Sequence, residues 1–269
     1  MERKLITLLT DFGYKDPFVG IIKGVIFGIN PDARVIDLSH GIAPQDIFAG
    51  ALTLRHSAPF FPAGTIHVAV VDPGVGTERR PLLIESEESF FIGPDNGILS
   101  LAVEGKQIKE ALELTNHLYH LTPASSTFHG RDIFSPVAAY LSLGIPAEDF
   151  GRQAGDFTRL SWPEVRKREH GIEGEIIYID GFGNLITNIH RRDLEFFQKE
   201  ALTISLGDLT VEGISQNYTH GAEKGYMAVI NSWGLLEVSL FKGNASLSRG
   251  AKVGDRVRVQ ERGQARPNR

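Results

Sequence analysis

IHVAVVDPGVGTERR, residues 66–80, is the stretch on which the fold turns. Its first six residues are mostly apolar and β-branched, the pattern of a strand buried on both faces of an α/β sheet. Asp72 ends that run, and Pro73-Gly74-Val75-Gly76 turns the chain where bulky side chains would obstruct the backbone. Arg79 and Arg80 follow within one short loop. A carboxylate at the carboxyl end of a buried strand, facing guanidinium groups across a glycine turn, stands at the edge where open α/β sheets bind ligands. An Asp–Arg pair that merely pins a turn would look the same, so the surrounding chain has to decide.

Upstream, residues 4–10 (KLITLLT) read as a first buried strand ending at Asp11-Phe12-Gly13. Asp16 fits an N-cap and Pro17 a first helical position, for a helix running to about Asn30. Residues 34–39 form a second strand that delivers His40, and residues 45–60 have helical period. Strand, helix, strand, helix, strand implies right-handed crossovers and a parallel sheet. Downstream, residues 81–85 and 89–92 are β-like, and the second of them runs into Gly93-Pro94-Asp95-Asn96-Gly97. Helices are expected over 98–104 and 131–143. Residues 146–169 are polar and irregular and read as a linker. From Gly171 strands are short and turns frequent (173–179, 202–206, 209–213, 225–230, 235–240, 256–259), with one short helix over 191–198, the layout of a small antiparallel sandwich or barrel. The expected class is therefore α/β: a mostly parallel, helix-flanked N-terminal sheet over residues 1–165 and a smaller antiparallel β sandwich or barrel over 166–260. Residues 261–269 are expected to be a disordered tail.

Composition narrows the function. The 269 residues are 42% hydrophobic and 23% charged, as in a soluble globular protein. A net charge of −5 spread over both halves leaves no basic stripe for nucleic acid. No apolar run approaches the ~20 residues needed to span a bilayer, and no small-residue cleavage site follows the N-terminal apolar run. Cysteine is absent, which excludes disulfides and thiolate metal sites and fits a reducing cytoplasm.

Asp11, His40, Asp72, Asp95-Asn96 and His129 each fall at or just past the end of an expected element. In a parallel sheet Asp11, His40 and Asp72 emerge on one edge. Singly, each is an ordinary cap or turn residue, and their convergence is the informative part. The chain lacks HExxH, a Walker lysine loop, GxSxG, and GxGxxG after its first strand. The Asp and His residues could hold a cation, but Arg79 and Arg80 would put positive charge beside it. In the second half, residues 180–188 (DGFGNLITN) read as a glycine-rich hairpin, and 231–234 (NSWG) and 242–245 (KGNA) as a strand end and a turn. Such turns beside Tyr218 and Trp233 can also hold a purine by stacking and amide hydrogen bonds.

Six segments in this order resemble one family: TDFG (10–13), DPGVGTERR (72–80), GPDNG (93–97), FHGRDIF (128–134), DGFGNLITN (180–188) and NSWG (231–234). Together they resemble the S-adenosylmethionine hydroxide adenosyltransferases, relatives of the fluorinating and chlorinating enzymes that use the same substrate. The resemblance spans about residues 4–260. It implies hydrolysis of S-adenosylmethionine to adenosine and methionine with no metal or cofactor. It also implies a homotrimer whose sites lie between the first domain of one subunit and the second of its neighbour. Carried over by motif, the catalytic set falls on Asp72, Arg79 and His129, with Arg79 preferred to Arg80 because it lies seven positions after the aspartate. Asp11 falls on the ribose-hydroxyl carboxylate, Asp180 and Ser232 on groups holding the methionine ends, Asn184 and the Ala245 backbone on adenine contacts, and Tyr218 on a purine-stacking position. Gln45 stands where halogenating relatives carry tryptophan, and only twelve residues separate Arg80 from Gly93 where the fluorinating relatives have an insertion. Both departures favour the hydrolytic branch. A halogenase, a non-catalytic sensor of S-adenosylmethionine or adenosine, and a metal-dependent nucleoside hydrolase remain as alternatives.

Overall fold

The computed structural model describes residues 5–168, 170–198, 201–219 and 225–261. The chain divides into two compact units, Met1–Leu160 and Ser161–Arg269.

In the first unit, strands β1 (Leu5–Thr10), β2 (Arg34–Ser39), β3 (Thr65–Val70) and β5 (Ser89–Pro94) pair in parallel, while β4 (Pro81–Ser86), β6 (Ile108–Glu113) and β7 (Arg152–Gln153) extend the sheet antiparallel. The strand order is β2-β1-β3-β5-β4-β6-β7. Every residue of β3 is buried, the polar Thr65 and His67 included, as expected for a mostly apolar strand covered on both faces. Side chains alternate across the sheet. Ile6, Leu8, Val68 and Ile92 pack on one face with Ile22 and Ile26 of α1 (Phe18–Ile29) and Phe134 and Val137 beside them. On the other face Val71 and Ile98 crowd Gly50 of α2 (Ile47–Ser57), so closely that a Cβ there would lie 3.1 Å from Ile98. A short helix, α3 (Ser100–Val103), and α4 (Ser135–Ser142) complete the unit.

Three local expectations are corrected. Asp16 is not the cap of α1: Pro17 occupies that position without a side-chain bond, and its carbonyl accepts from Ile21 N (2.9 Å) to open the ladder. Residues 131–143 are not one regular helix, because Gly130–Phe134 forms a wider π turn before α4. Ser135 Oγ donates to Gly130 O (2.7 Å) at that junction. Nor is the expected linker at 146–169 free over its first part, up to residue 160. Arg80 Nη1 donates to Ala154 O (2.7 Å), Thr158 N to Asp95 Oδ1 (2.7 Å) and Leu160 N to Ser100 Oγ (3.0 Å), tying the segment to the first unit.

The second unit is a single antiparallel sheet of β8 (Arg166–Arg168), β9 (Gly171–Ile179), β10 (Leu185–His190), β11 (Leu202–Leu206), β12 (Leu209–Glu212), β13 (Tyr226–Ile230), β14 (Leu235–Leu240) and β15 (Arg256–Glu261). Its order is β12-β11-β15-β9-β10-β14-β13, with β8 on β9, and the end strands β12 and β13 approach each other in a nearly closed barrel. Ile176, Leu185, Ile204, Leu236, Val238 and Val257 fill the interior. Residues 242–245, read as a turn, lead into a short helix, α5 (Ala245–Arg249), capped by Asn244 Oδ1 accepting from Leu247 N (2.7 Å). The tail is expected from residue 261, but Glu261 completes β15, and 262–269 lie outside the described residues. No helix among the described residues is long and apolar enough to cross a membrane.

Candidate active site

Parallel pairing places Asp11, His40, Asp72 and Asp95 at one edge of the first sheet, after β1, β2, β3 and β5. The turn after β3 is closed by Thr77 Oγ1 and Thr77 N, both donating to Gly74 O (2.6 and 3.1 Å). Its return leg brings Arg79 back over Asp72. Arg79 Nε donates to Asp72 Oδ1 (3.0 Å), and Nη2 donates to Asp72 Oδ2 and lies 2.7 Å from His129 Nδ1. Both side chains of the ion pair are more than nine-tenths buried. Gly76, at φ +77°, lets the turn meet the loop that carries His129. A Cβ on Gly76 would stand 2.2 Å from Ser126 O. Around this junction lies a cavity of about 360 Å³ whose lining includes Asp11, Phe12, Gln45, Asp72, Phe128 and His129.

The chemistry of these groups follows from their bonding. Guanidinium only donates, so the Nδ1 facing Arg79 must be an unprotonated acceptor, and neutral His129 carries its proton on Nε2. Burial and then the Arg79 charge push His129 below the ordinary imidazole value, outweighing the pull of Asp72 and Asp132. Arg79 Nη1 is buried and has no hydrogen-bond partner among the described residues. The cavity is thus lined by a carboxylate acceptor and a neutral imidazole, both held by a buried guanidinium.

The other residues of that edge divide between cavity and scaffold. Asp11 Oδ2 accepts from Gln45 N (2.8 Å), and Gln45 holds φ +67°, a left-handed conformation that costs energy without glycine. His40 is buried between Thr10 Oγ1 (2.7 Å from Nδ1) and Asp37 Oδ1 (3.0 Å from Nε2), a structural role. Arg80 turns away from Arg79, its Nε 2.9 Å from Asp95 Oδ2, and with its hold on Ala154 it clamps the end of the unit.

In the second unit the turn between β9 and β10 is built by Asp180, whose Oδ1 accepts from Phe182 N and Asn184 N (both 2.9 Å) and whose Oδ2 accepts from Asn184 Nδ2 (2.9 Å). Gly183 abuts Asn244, and its carbonyl accepts from Ser246 N (3.0 Å), so Ala245 lies beside Asp180 and Asn184. Ser232 is exposed in a turn that Asn231 Oδ1 organises by accepting from Trp233 N (3.0 Å) and Leu235 N (3.1 Å). Tyr218 donates its hydroxyl to Glu237 Oε1 (2.9 Å). Burial, and then that carboxylate, push the phenol up to about 12. Sequence reasoning missed Glu237, which is buried and also accepts from Ser239 Oγ (2.6 Å) and Asn231 Nδ2 (3.2 Å). Its one signal is a charged residue in the otherwise apolar strand LLEVSL. No cluster of three or more metal-competent side chains occurs among the described residues.

Comparison with known proteins follows the same division. The model of the SAM hydroxide adenosyltransferase N-terminal domain matches residues 6–151, and that of the C-terminal domain matches 174–258. A protein of Salinispora tropica named (R)-S-adenosyl-L-methionine hydrolase is 36% identical, covering 94% of this chain and 97% of that protein. One of the same name from Methanocaldococcus jannaschii is 36% identical, with 90% of each covered. A fluorinase of Actinoplanes is 29% identical over 71% of this chain and 73% of its own length. The crystal structure of an uncharacterized conserved protein from Thermotoga maritima superposes with a TM-score of 0.88 at 31% identity, covering 96% of this chain and all of that one. The chain belongs to the SAM hydroxide adenosyltransferase family.

Proposed function

We propose that this protein hydrolyses S-adenosyl-L-methionine to adenosine and L-methionine, and that its substrate is the epimer with R configuration at sulfur, as the names of its hydrolase relatives specify. The observation that carries the mechanism is the contact of Asp72, Arg79 and His129 at the cavity. A sulfonium leaves as a neutral thioether, so no general acid is needed. What is needed is a water held in line with C5′ and away from bulk solvent. Asp72 accepts one hydrogen of that water. The Nε2–H of His129 is the donor available to its oxygen, while the buried Arg79 guanidinium holds Asp72 and His129 in place from behind. As the O–C5′ bond forms, the C5′–S pair passes to sulfur and one proton is released to solvent. With Nδ1 occupied by Arg79, His129 orients the nucleophile rather than serving as its first proton acceptor. A halide at the same place would meet the Asp72 carboxylate, which disfavours the halogenating reaction.

Asp11 is assigned to the ribose hydroxyls, Asp180 and Ser232 to the methionine ends, Asn184 and the Ala245 backbone to adenine, and Tyr218 to purine stacking. The second-unit groups are assigned to a neighbouring copy's substrate within a homotrimer. A cytoplasmic location accords with the absence of cysteine. Incubation with each sulfonium epimer tests the function: equimolar adenosine and methionine from the R epimer are expected. Binding without either product would overturn the proposal.

A further inference from the structure

We propose that Asp132 is the positioning residue of this site, gripping the loop ahead of His129 so that the imidazole is locked as an acceptor against Arg79. The proposal deepens the hydrolase reading and rests on it for its kinetic arm only.

Asp132 is outside the cavity lining and 1% exposed. Arg131 binds it through Nε (2.6 Å to Oδ1) and Nη2 (2.9 Å to Oδ2). The same Oδ2 accepts from Ser125 N at 2.7 Å, and the Asp132 carbonyl accepts from Leu121 N at 2.9 Å. One residue therefore holds the loop that ends at His129 at two points. The middle of that loop carries Ser126 O, which abuts Gly76 in the turn bearing Asp72 and Arg79. Fixing Ser125 thus fixes the seam on which the Arg79–His129 contact depends. The π turn at Gly130–Phe134 fits the same role, because such turns recur where a helix aims a functional side chain. Arg131 in turn sits over the Phe128 ring, 5.3 Å from its centre, so its fork is braced on a residue that lines the cavity.

A buried carboxylate is costly to keep, and here its bonds go to Arg131 and to the loop rather than to the reaction. Burial opposes its charge, but the bonds from Arg131 and Ser125 prevail and hold its carboxyl below the ordinary value. It stays ionised, and an ionised carboxylate is the strongest acceptor for the Ser125 amide.

Imidazole ¹⁵N NMR of the full-length protein reads the lock without turnover. In the parent, His129 should show one tautomer, with an acceptor-type Nδ1 and a protonated Nε2. Asp132→Asn should give exchange between tautomers and a fall in kcat of ~10²-fold, with KM within a few-fold, because loss of aim costs rate rather than affinity. Asp132→Glu keeps the charge but moves the oxygen by ~1.5 Å, and should also lose the lock. It carries the test if the asparagine variant does not fold. A folded Asp132→Asn or Asp132→Glu that retains the single tautomer overturns the proposal, whatever its rate. A lost lock with unchanged kcat would uphold the positioning of His129 while sinking the role of His129 in hydrolysis.

Discussion

Two glycines of one turn should behave oppositely. At Gly76 an added Cβ would stand 2.2 Å from Ser126 O, and real Cβ contacts do not fall under 3.0 Å, so turn and loop must part by at least 0.8 Å. Shifted by that amount, the Arg79 Nη2–His129 Nδ1 contact of 2.7 Å opens to about 3.5 Å, the outer limit of a hydrogen bond. The φ of +77° adds ~1–2 kcal/mol for a residue with a side chain. Gly76→Ala should therefore lose ~2–4 kcal/mol of stability and ~10²-fold in kcat. Gly74→Ala meets Thr77 Oγ1 at 3.4 Å and Arg79 Cγ at 3.5 Å, ordinary contacts without a positive φ, and should stay near the parent in both. Chemical denaturation gives the stability, and product formation at saturating substrate gives kcat. If Gly76→Ala matches Gly74→Ala in both measurements, the seam does not hold the site together.

Adjacent arginines should also separate. Arg79→Ala should abolish most turnover, whereas Arg80→Ala, which removes the cation from Asp95 Oδ2 and the donor from the Ala154 carbonyl, should cost ~3 kcal/mol of stability yet leave kcat near the parent once folded; urea melts and kcat compare them. Because burial and then Arg79 depress His129 below the ordinary imidazole value, the neutral imidazole persists to lower pH, and the acid limb of kcat should lie below that of a free imidazole and disappear in His129→Asn. His67 is buried and depressed from 6.5 to about 4, first by burial and then by Lys106, so the fold binds its neutral form. Its stabilisation is complete above pH 6.5 and is lost as pH falls towards 4, by up to ~3 kcal/mol, and His67→Gln should flatten that part of the stability–pH curve.

What the sequence disclosed and what it hid differ in physical kind. β3 was legible because burial on both faces leaves a mostly apolar run, and the edge bearing Asp11, His40 and Asp72 followed from parallel order. β6 was hidden because IKEALE has helix-like composition and becomes a strand by pairing with β4 and β7. Composition and periodicity do not separate Arg79 from Arg80; the family spacing points to Arg79, and the closure of the turn is what brings it onto Asp72. Asp132 sat in view within FHGRDIF, but its partners Ser125 and Leu121 come from a loop whose path no periodicity encodes. The segment at 146–169 looked like a linker because the bonds that tie residues 154–160 to the first unit run from their backbone to the side chains of Arg80, Asp95 and Ser100. Composition does not encode backbone bonds.

The central claim is that water held by Asp72, Arg79 and His129 attacks C5′. Turnover in ¹⁸O-labelled water, with mass spectrometry of both products, tests it most directly. The label should appear in the 5′-hydroxyl of adenosine and be absent from methionine, whose sulfur departs with both bonding electrons. Unlabelled adenosine, or a 5′-halogenated nucleoside as the sole product, would contradict it.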